Sequence, residues 1–461
     1  MKSSFWRLRI VEACLGLFPM GIAFGAAPPN IVILFTDDQR WDALHCAGND
    51  RINTPNLDSI AGRGTLFQNA FVTLSICSPS RAAMLTARYN SQNGVTVVGK
   101  GTMNSGELTF AHRLKERGYA TGVTGKWHLG NTPADCGFDF SSVCFSNQTW
   151  YGRKFERNGE KVIAEGFVDD FVAAESVAFI EDASAADKPF VLWLCTQVPH
   201  MDHHHTWPPS PDFLDRYHAQ SMPLTASWDD DLSGKPPYLK SSRSRTQALS
   251  YGYADSEAIR EHTRQYYASV EQMDASLGHV LDALDRLELR DNTWILFMGD
   301  NGWMMGEHGF TSKVLPYEES IRVPMMVAGP KTRAQTDEHL VLGIDLSATV
   351  LELAGIERPS EIHGRSLLPL VTDGDDAVNW RTDFLYEAPD PQLGSKPLWA
   401  VRDDRWKYIE TITDAESGEI FVELYDLQSD PLELNNLAQS PDQRERCRAM
   451  SDRMSALKSE L

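Results

Sequence analysis

Two short apolar runs constrain this chain more than any other feature. Asn30–Phe35 (NIVILF) and Trp294–Met298 (WILFM) carry no interrupting charge. A strand with one wet face alternates apolar and polar residues. An unbroken apolar run therefore reads as a strand buried on both faces, in a parallel or mixed sheet. Both runs end in hard oxygen donors: Asp37 and Asp38 after the first, Asp300 and Asn301 within Gly299-Asp300-Asn301-Gly302 after the second.

Helical and strand patterns alternate between them. Leu108–Arg117 reads as a short helix stopped at Gly118, Tyr119–Val123 and Phe190–Cys195 as strands. His262–Leu287 predicts a long helix, with Tyr266, Val270, Met273, Leu277, Leu281 and Leu284 at 3–4 spacing. The expected fold is α/β: a large mixed, mostly parallel sheet flanked by helices. Residues 208–256 are rich in Pro, Ser, Asp and Tyr and read as an extended surface insertion. The composition changes again near Asp373–Asn379. Beyond it, Leu398–Arg402, Trp406–Ile409, Phe421–Tyr425 and a helix from Asp442 predict a small α+β subdomain with a short antiparallel sheet. The expected organisation is a catalytic domain over 28–375 and a C-terminal subdomain over 376–461.

Residues 1–27 read as a secretory signal. Lys2, Arg7 and Arg9 precede an apolar stretch from Ala13 to Ala27, which ends in small residues and is too short to span a bilayer. Glu12 fits a lipid-anchor site at Cys14 poorly. Export to a secreted or periplasmic location is the expectation, without stable membrane insertion. The net charge of −21 argues against nucleic acid as a partner. Cys136 and Cys144 are close enough in sequence for a short-loop disulfide, though buried free thiols fit equally.

The strand-end carboxylates pose an electrostatic question. Two like charges about 4 Å apart repel by roughly 4 kcal/mol at an effective dielectric of about 20. If Asp37, Asp38 and Asp300 converge, a divalent cation removes that cost, and an all-oxygen set with Asn301 favours Ca²⁺ or Mg²⁺. Taken singly, either pair is also ordinary strand-to-turn punctuation. A second cluster is Cys77-Ser78-Pro79-Ser80-Arg81. Ser78 as cap and Pro79 at the first position predict a helix start, which favours anions. Arg81, one turn in, can face the same anion. The bland alternative is a structural cysteine before a helix. Met201-Asp202-His203-His204-His205 looks like a metal tract but reads better as a loop beside His200. Arg40, Trp41 and Trp303 adjoin the donors and can serve substrate or packing alike. Arg322 reads as structural and His112 as exposed.

Residues 77–88 (CSPSRAAMLTAR) resemble the C-x-P-S-R-x-x-x-L-T-G-R signature of the type I, formylglycine-dependent sulfatases, with Ala87 where that family has Gly. Gly118–Thr121 with Gly125-Lys126-Trp127-His128-Leu129-Gly130 resembles its second signature. Thr36–Gln39, Thr54–Asp58, Pro199-His200, Glu307–Gly309, Lys313, Tyr317–Pro324, His363–Leu367 and Leu424–Leu427 resemble further blocks in order. The resemblance implies a sulfatase acting on a sulfated carbohydrate. It implies that Cys77 is converted to formylglycine by a formylglycine-generating or maturase enzyme. One hydroxyl of the hydrated aldehyde then attacks sulfur, on a cation held by Asp37, Asp38, residue 77, Asp300 and Asn301. Arg81, Lys126 and Lys313 would balance the sulfate charge, and His200 and Lys313 would face the leaving oxygen. His128 would take a proton from the second hydroxyl, expelling sulfate. A phosphonate or phosphate-ester hydrolase of the same superfamily is the competing expectation.

Overall fold

The computed structural model describes residues 27–99, 101–372 and 379–461. The predicted signal, apart from Ala27, lies outside the described residues, as does the boundary drawn at 375/376. Ten strands form the main sheet, in the order β12-β2-β11-β8-β1-β7-β3-β4-β5-β6. These are β1 (Asn30–Asp37), β2 (Gly64–Phe71), β3 (Ala120–Lys126), β4 (Phe140–Cys144), β5 (Tyr151–Arg157), β6 (Glu160–Phe167), β7 (Phe190–Pro199), β8 (Thr293–Gly299), β11 (Met325–Ala328) and β12 (Gln335–Leu342). Two-residue strands β9 (Met304–Met305) and β10 (Thr311–Ser312) pair separately. The centre, β8-β1-β7-β3-β4, is parallel; β11 runs antiparallel between β8 and β2, and β4-β5-β6 is an antiparallel edge. The expected mixed sheet is thus present.

The two apolar runs lie side by side, Ile31 opposite Trp294 and Phe35 opposite Met298. Period-2 alternation splits β1 between two cores. Val32 and Leu34 pack under the helices Val168–Ala185 and Ser256–Arg286. Ile31, Ile33 and Phe35 pack under Cys77–Thr86, Phe110–Glu116 and Gly343–Leu353. Both faces are covered, which is why these strands show no polar alternation.

A four-stranded antiparallel sheet, β13 (Asp383–Ala388), β14 (Leu398–Asp403), β15 (Trp406–Asp414) and β16 (Glu419–Asp426), carries the C-terminal helix Arg444–Ser459. It joins the main body through a third core, where Phe384, Tyr408 and Met454 meet Phe71, Tyr317 and Ile321.

Several expectations change. The long helix begins at Ser256, capped by the Asp255 side chain. Residues 208–256 carry mostly exposed and half-buried residues, held to the body by the buried anchors Tyr217, Met222, Leu232, Leu239, Ala248 and Tyr253. Widely spaced single anchors leave no periodic signature, so the packing was invisible in the pattern. The helix predicted to start at Pro79 starts at Cys77 itself, with Ile76 as N-cap, and Ser78 Oγ instead accepts from Gly99 N–H at 2.9 Å. His112 is half-buried and closes a capping box with Thr109 rather than standing exposed. Cys136 and Cys144 are free thiols.

Candidate active site

The carboxyl ends of four adjacent parallel strands converge on one point, where ligands gather in open α/β sheets. β1 delivers Asp37 and Asp38, β8 delivers Asp300 and Asn301, β7 delivers His200, and β3 delivers Lys126 and His128. Cys77 opens its helix above them, with Arg81 one turn on. Lys313 follows β10. Two glycines make the approach possible. A Cβ on Gly125 (φ +90°) would lie 1.7 Å from the Cys195 carbonyl oxygen, so only glycine lets β3 close on β7 beside Lys126. A Cβ on Gly302 would lie 2.1 Å from the Glu319 carbonyl oxygen.

Donor atoms of Asp37, Asp38, Cys77 and Asp300 all lie within 4.8 Å of one another, and all four residues are buried. Cys77 Sγ is 3.2 Å from Asp37 Oδ1 and 2.7 Å from Lys313 Nζ. Arg81 Nη2 donates to Asp300 Oδ2 at 2.9 Å, and its Nη1 to the Lys126 carbonyl at 2.6 Å. Lys126 pairs with Asp37, and Lys313 with Asp38. Asn301 Nδ2 donates to Asp38 Oδ1 at 2.6 Å, while Tyr266 Oη holds the Asp38 carbonyl at 2.7 Å. Asp38 (φ 60°) and His128 (φ 59°) hold left-handed backbone, and Ser312 (φ 84°) and Val314 (φ 79°) flank Lys313 in the same region. Such conformations cost about 1–3 kcal/mol each and gather where surroundings over-determine a site.

Charge is densely balanced here. Burial opposes ionisation of Asp37, but Lys126, His200, Lys313 and Arg81 hold it well below the usual carboxylate range. Burial and the Asp37 charge push Asp300 up to about 7 against Arg81. Burial, with Asp37, pushes the Cys77 thiol up to about 12 despite Lys126 and Lys313. Burial also lowers His128, with Lys126 adding to it, and lowers His200 against the pull of Asp38.

The site fits a hard cation. Asp38 Oδ2 and Asn301 Oδ1 are buried oxygens with no hydrogen-bond partner. With the facing oxygens of Asp37 and Asp300, they make the donor set that Ca²⁺ or Mg²⁺ takes.

His200 brings in a residue that the sequence did not flag. Its Nδ1 lies 2.7 Å from the Met201 carbonyl, and its Nε2 lies 2.7 Å from Asn147 Nδ2 and 3.5 Å from Asp38 Oδ2. Asn147 sits in a polar loop without pattern, so only the fold places it there. Other candidates find other work. Arg40 is held by Asp42 and Glu307, and Arg322 bonds the Gln68 carbonyl and stacks on Trp41. His308 pairs with Asp230 at 2.7 Å. Trp303 lies 6.2 Å from the His200 ring and 5.8 Å from Lys313 Nζ, at the rim. Asp202, His203 and His204 bring ligand atoms together within 4.8 Å, apart from the buried cluster.

Residues 29–356 match the family model described as sulfatase. The chain belongs to the sulfatase family. It is an enzyme that hydrolyses sulfate esters. Residues 306–460 match the N-sulphoglucosamine sulphohydrolase C-terminal model. An N-acetylglucosamine-6-O-sulfatase of Bacteroides thetaiotaomicron is 28% identical, over 89% of this chain and 82% of that protein. The solved structure of BT4656 in complex with its substrate D-glucosamine-2-N,6-O-disulfate superposes with a TM-score of 0.85. It is 26% identical and covers 94% of this chain and 98% of that one. A phosphonate monoester hydrolase of Agrobacterium radiobacter shares the fold at a TM-score of 0.74, with 19% identity, over 94% of this chain and 96% of that one. No described helix of this sulfatase is long and apolar enough to cross a membrane.

Proposed function

We propose that this sulfatase removes sulfate from a sulfated carbohydrate, with residue 77 as nucleophile after conversion of Cys77 to formylglycine. The observation that carries the reading is the placement of Cys77. It lies against Asp37 and Lys313, within a buried cluster of hard oxygen donors. The sugar substrate is supported by the relatives, two of which are named for, or bound to, sulfated glucosamine. Asp37, Asp38, residue 77, Asp300 and Asn301 would hold Ca²⁺ or Mg²⁺, which when bound supplies a Lewis acid at the nucleophile.

The chain's own residues do the rest. Arg81, Lys126 and Lys313 set three positive charges around one small volume, poised for the oxygens of a sulfate whose charge rises in the transition state. His200, at the more open side, faces the leaving oxygen with Lys313 and helps protonate it. His128 carries a buried Nδ1 without a partner and would take a proton from the second hydroxyl of residue 77. Export and an external maturase belong to the same reading and rest on the N-terminal segment and the 77–88 motif.

The test joins two measurements. Intact-peptide mass spectrometry over residue 77 should find the aldehyde, and sulfate release should exceed phosphate release on matched aryl esters. Cys77→Ala and Asp300→Ala should abolish turnover. An unmodified thiol in fully active enzyme would overturn the nucleophile. Faster phosphate or phosphonate turnover would overturn the substrate class.

A further inference from the structure

The histidine tract that the catalytic cluster leaves unused is built into a closed turn. Asp202 N–H donates to the Thr206 carbonyl at 2.9 Å, and His205 N–H to the Asp202 carbonyl at 3.1 Å. Asp202, only 7% exposed, is the anchor. Its Oδ1 accepts from His204 N–H at 2.9 Å and from Thr206 N–H and Oγ1 at 3.1 Å each. All three bonds go to one carboxylate oxygen. Oδ2 accepts none among the described residues, and it is not sealed from solvent. His205 ends the turn in left-handed backbone (φ 60°), with its ring towards Tyr251. Trp207 Nε1 then donates to the Pro199 carbonyl at 2.7 Å, which ties the base of the loop.

The turn holds two exposed imidazoles together. The His203 and His204 rings lie 3.8 Å apart between centroids, tilted by 41°, and neither ring has a hydrogen-bond partner among the described residues. Asp202, His203 and His204 each offer one ligand atom within 4.8 Å of the other two. In a tetrahedral site with bonds of about 2.0–2.2 Å, donors stand roughly 3.4 Å apart. Closing from 4.8 Å asks for at most about 1.4 Å of movement. Rotation of two exposed side chains supplies it, while the buried carboxylate stays fixed by its turn.

We infer that Asp202, His203 and His204 form a second metal site, for a borderline divalent cation of the Zn²⁺, Cu²⁺ or Ni²⁺ class. Two imidazoles and one carboxylate suit those ions. The all-oxygen donors of Asp37, Asp38, Asp300 and Asn301 suit Ca²⁺ or Mg²⁺ instead, so the two sites select different ions. Three protein ligands leave a coordination position for water. The net charge of −21 draws cations to the surface of the chain. None of the three ligands belongs to the catalytic cluster, so turnover does not require this ion.

The test is calorimetric titration of Zn²⁺ into the full chain, with Ca²⁺ in excess to hold the buried oxygens. The wild type should bind Zn²⁺ at a site that Ca²⁺ does not displace. H203A and H204A should each weaken that binding by about tenfold or more, at least the loss that follows when even an indirect support of a metal ligand is removed. D202N keeps an acceptor for the turn, removes the free carboxylate oxygen, and should weaken binding likewise. Both rings are exposed, so H203A and H204A should melt with the wild type when zinc is absent, and zinc should raise the melting temperature of the wild type alone. Electron paramagnetic resonance of bound Cu²⁺ should show two imidazole nitrogens in the wild type and one in each histidine variant. No calcium-resistant zinc binding, or equal binding in the wild type and H203A/H204A, overturns the inference. So does a copper spectrum without two imidazole nitrogens. If a variant melts early without zinc, the wild-type copper spectrum under excess Ca²⁺ decides: two imidazole nitrogens support the site, and their absence overturns it.

Discussion

Replacing Lys407 with methionine should destabilise the fold by about 3–5 kcal/mol, the usual cost of removing one partner from a buried ion pair. Lys407 lies on β15 with its side chain fully buried, and its Nζ is 2.8 Å from Glu318 Oε1 and 2.8 Å from Glu433 Oε1. The two carboxylate oxygens are therefore no more than about 5.6 Å apart. Without the lysine, two negative charges at that distance repel by about 3 kcal/mol at an effective dielectric of 20. Arg402, 3.5 Å from Glu318, offsets part of this. Burial disfavours the Glu318 carboxylate, but Lys407 and Arg402 hold it down to about 2. In the wild type that stabilisation is complete above the ordinary glutamate value near 4.5 and is lost as pH falls towards 2. In Lys407→Met the sign reverses. One carboxylate is pushed up and the folded state holds its proton, so stability rises as pH falls. The assay is urea unfolding at pH 7 and pH 5, comparing midpoints at unchanged slope. The deficit should be largest at pH 7 and shrink at pH 5, and adding Glu433→Gln should recover most of it. A deficit below 1 kcal/mol, or one that widens on acidification, would refute the reasoning.

Two further outcomes follow from the geometry. His203 is exposed and stands apart from the buried cluster, so His203→Ala should leave kcat/KM within about twofold of the wild type; a loss above tenfold on a sulfate ester would instead point to a working metal at Asp202, His203 and His204. Ala87 caps the Cys77 helix with φ 55°, a left-handed conformation that costs a non-glycine residue about 1–2 kcal/mol. Its buried methyl returns about 0.8 kcal/mol, so Ala87→Gly should stabilise by up to about 1 kcal/mol in thermal or urea unfolding, and a clear destabilisation would show that the packing of that methyl dominates.

What was legible in the sequence followed the chemistry of burial. β1, β7 and β8 showed themselves because both their faces are covered. Their ends pointed to a candidate site because two pairs of hard oxygen donors follow two such runs, where either pair alone would be ordinary strand-to-turn punctuation. The edge hairpin β5–β6 was not read, since most of its side chains face solvent. Its inward positions, Arg153, Phe155, Ala164 and Phe167, are too few for a pattern and include a buried arginine that no periodicity rule would place inside. Asn147 was missed for a related reason. A lone polar loop residue carries no spacing, and its role exists only because β4 and β7 end near each other.

The segment Tyr317–Pro324 shows the remaining gap between a motif and its meaning. In the sequence it is a resemblance without a stated job. In the fold it is a junction. Tyr317 Oη donates to Glu423 at 3.0 Å and Glu318 reaches Lys407, both in the C-terminal sheet. The Ser320 carbonyl accepts from Gly302 N–H at 2.9 Å and from Ser75 Oγ at 2.6 Å. Gly302 closes the turn that presents Asp300 and Asn301, and Ser75 lies two residues before Cys77. The short helix Glu318–Ile321, with Tyr317 just before it, therefore grips the C-terminal sheet with its side chains and both halves of the buried Asp–Cys cluster with one carbonyl. A disturbance at the sheet interface is expected to reach Cys77 and Asn301 through Ser320. That is why Lys407→Met should lower kcat as well as stability, although Lys407 touches none of the reacting groups.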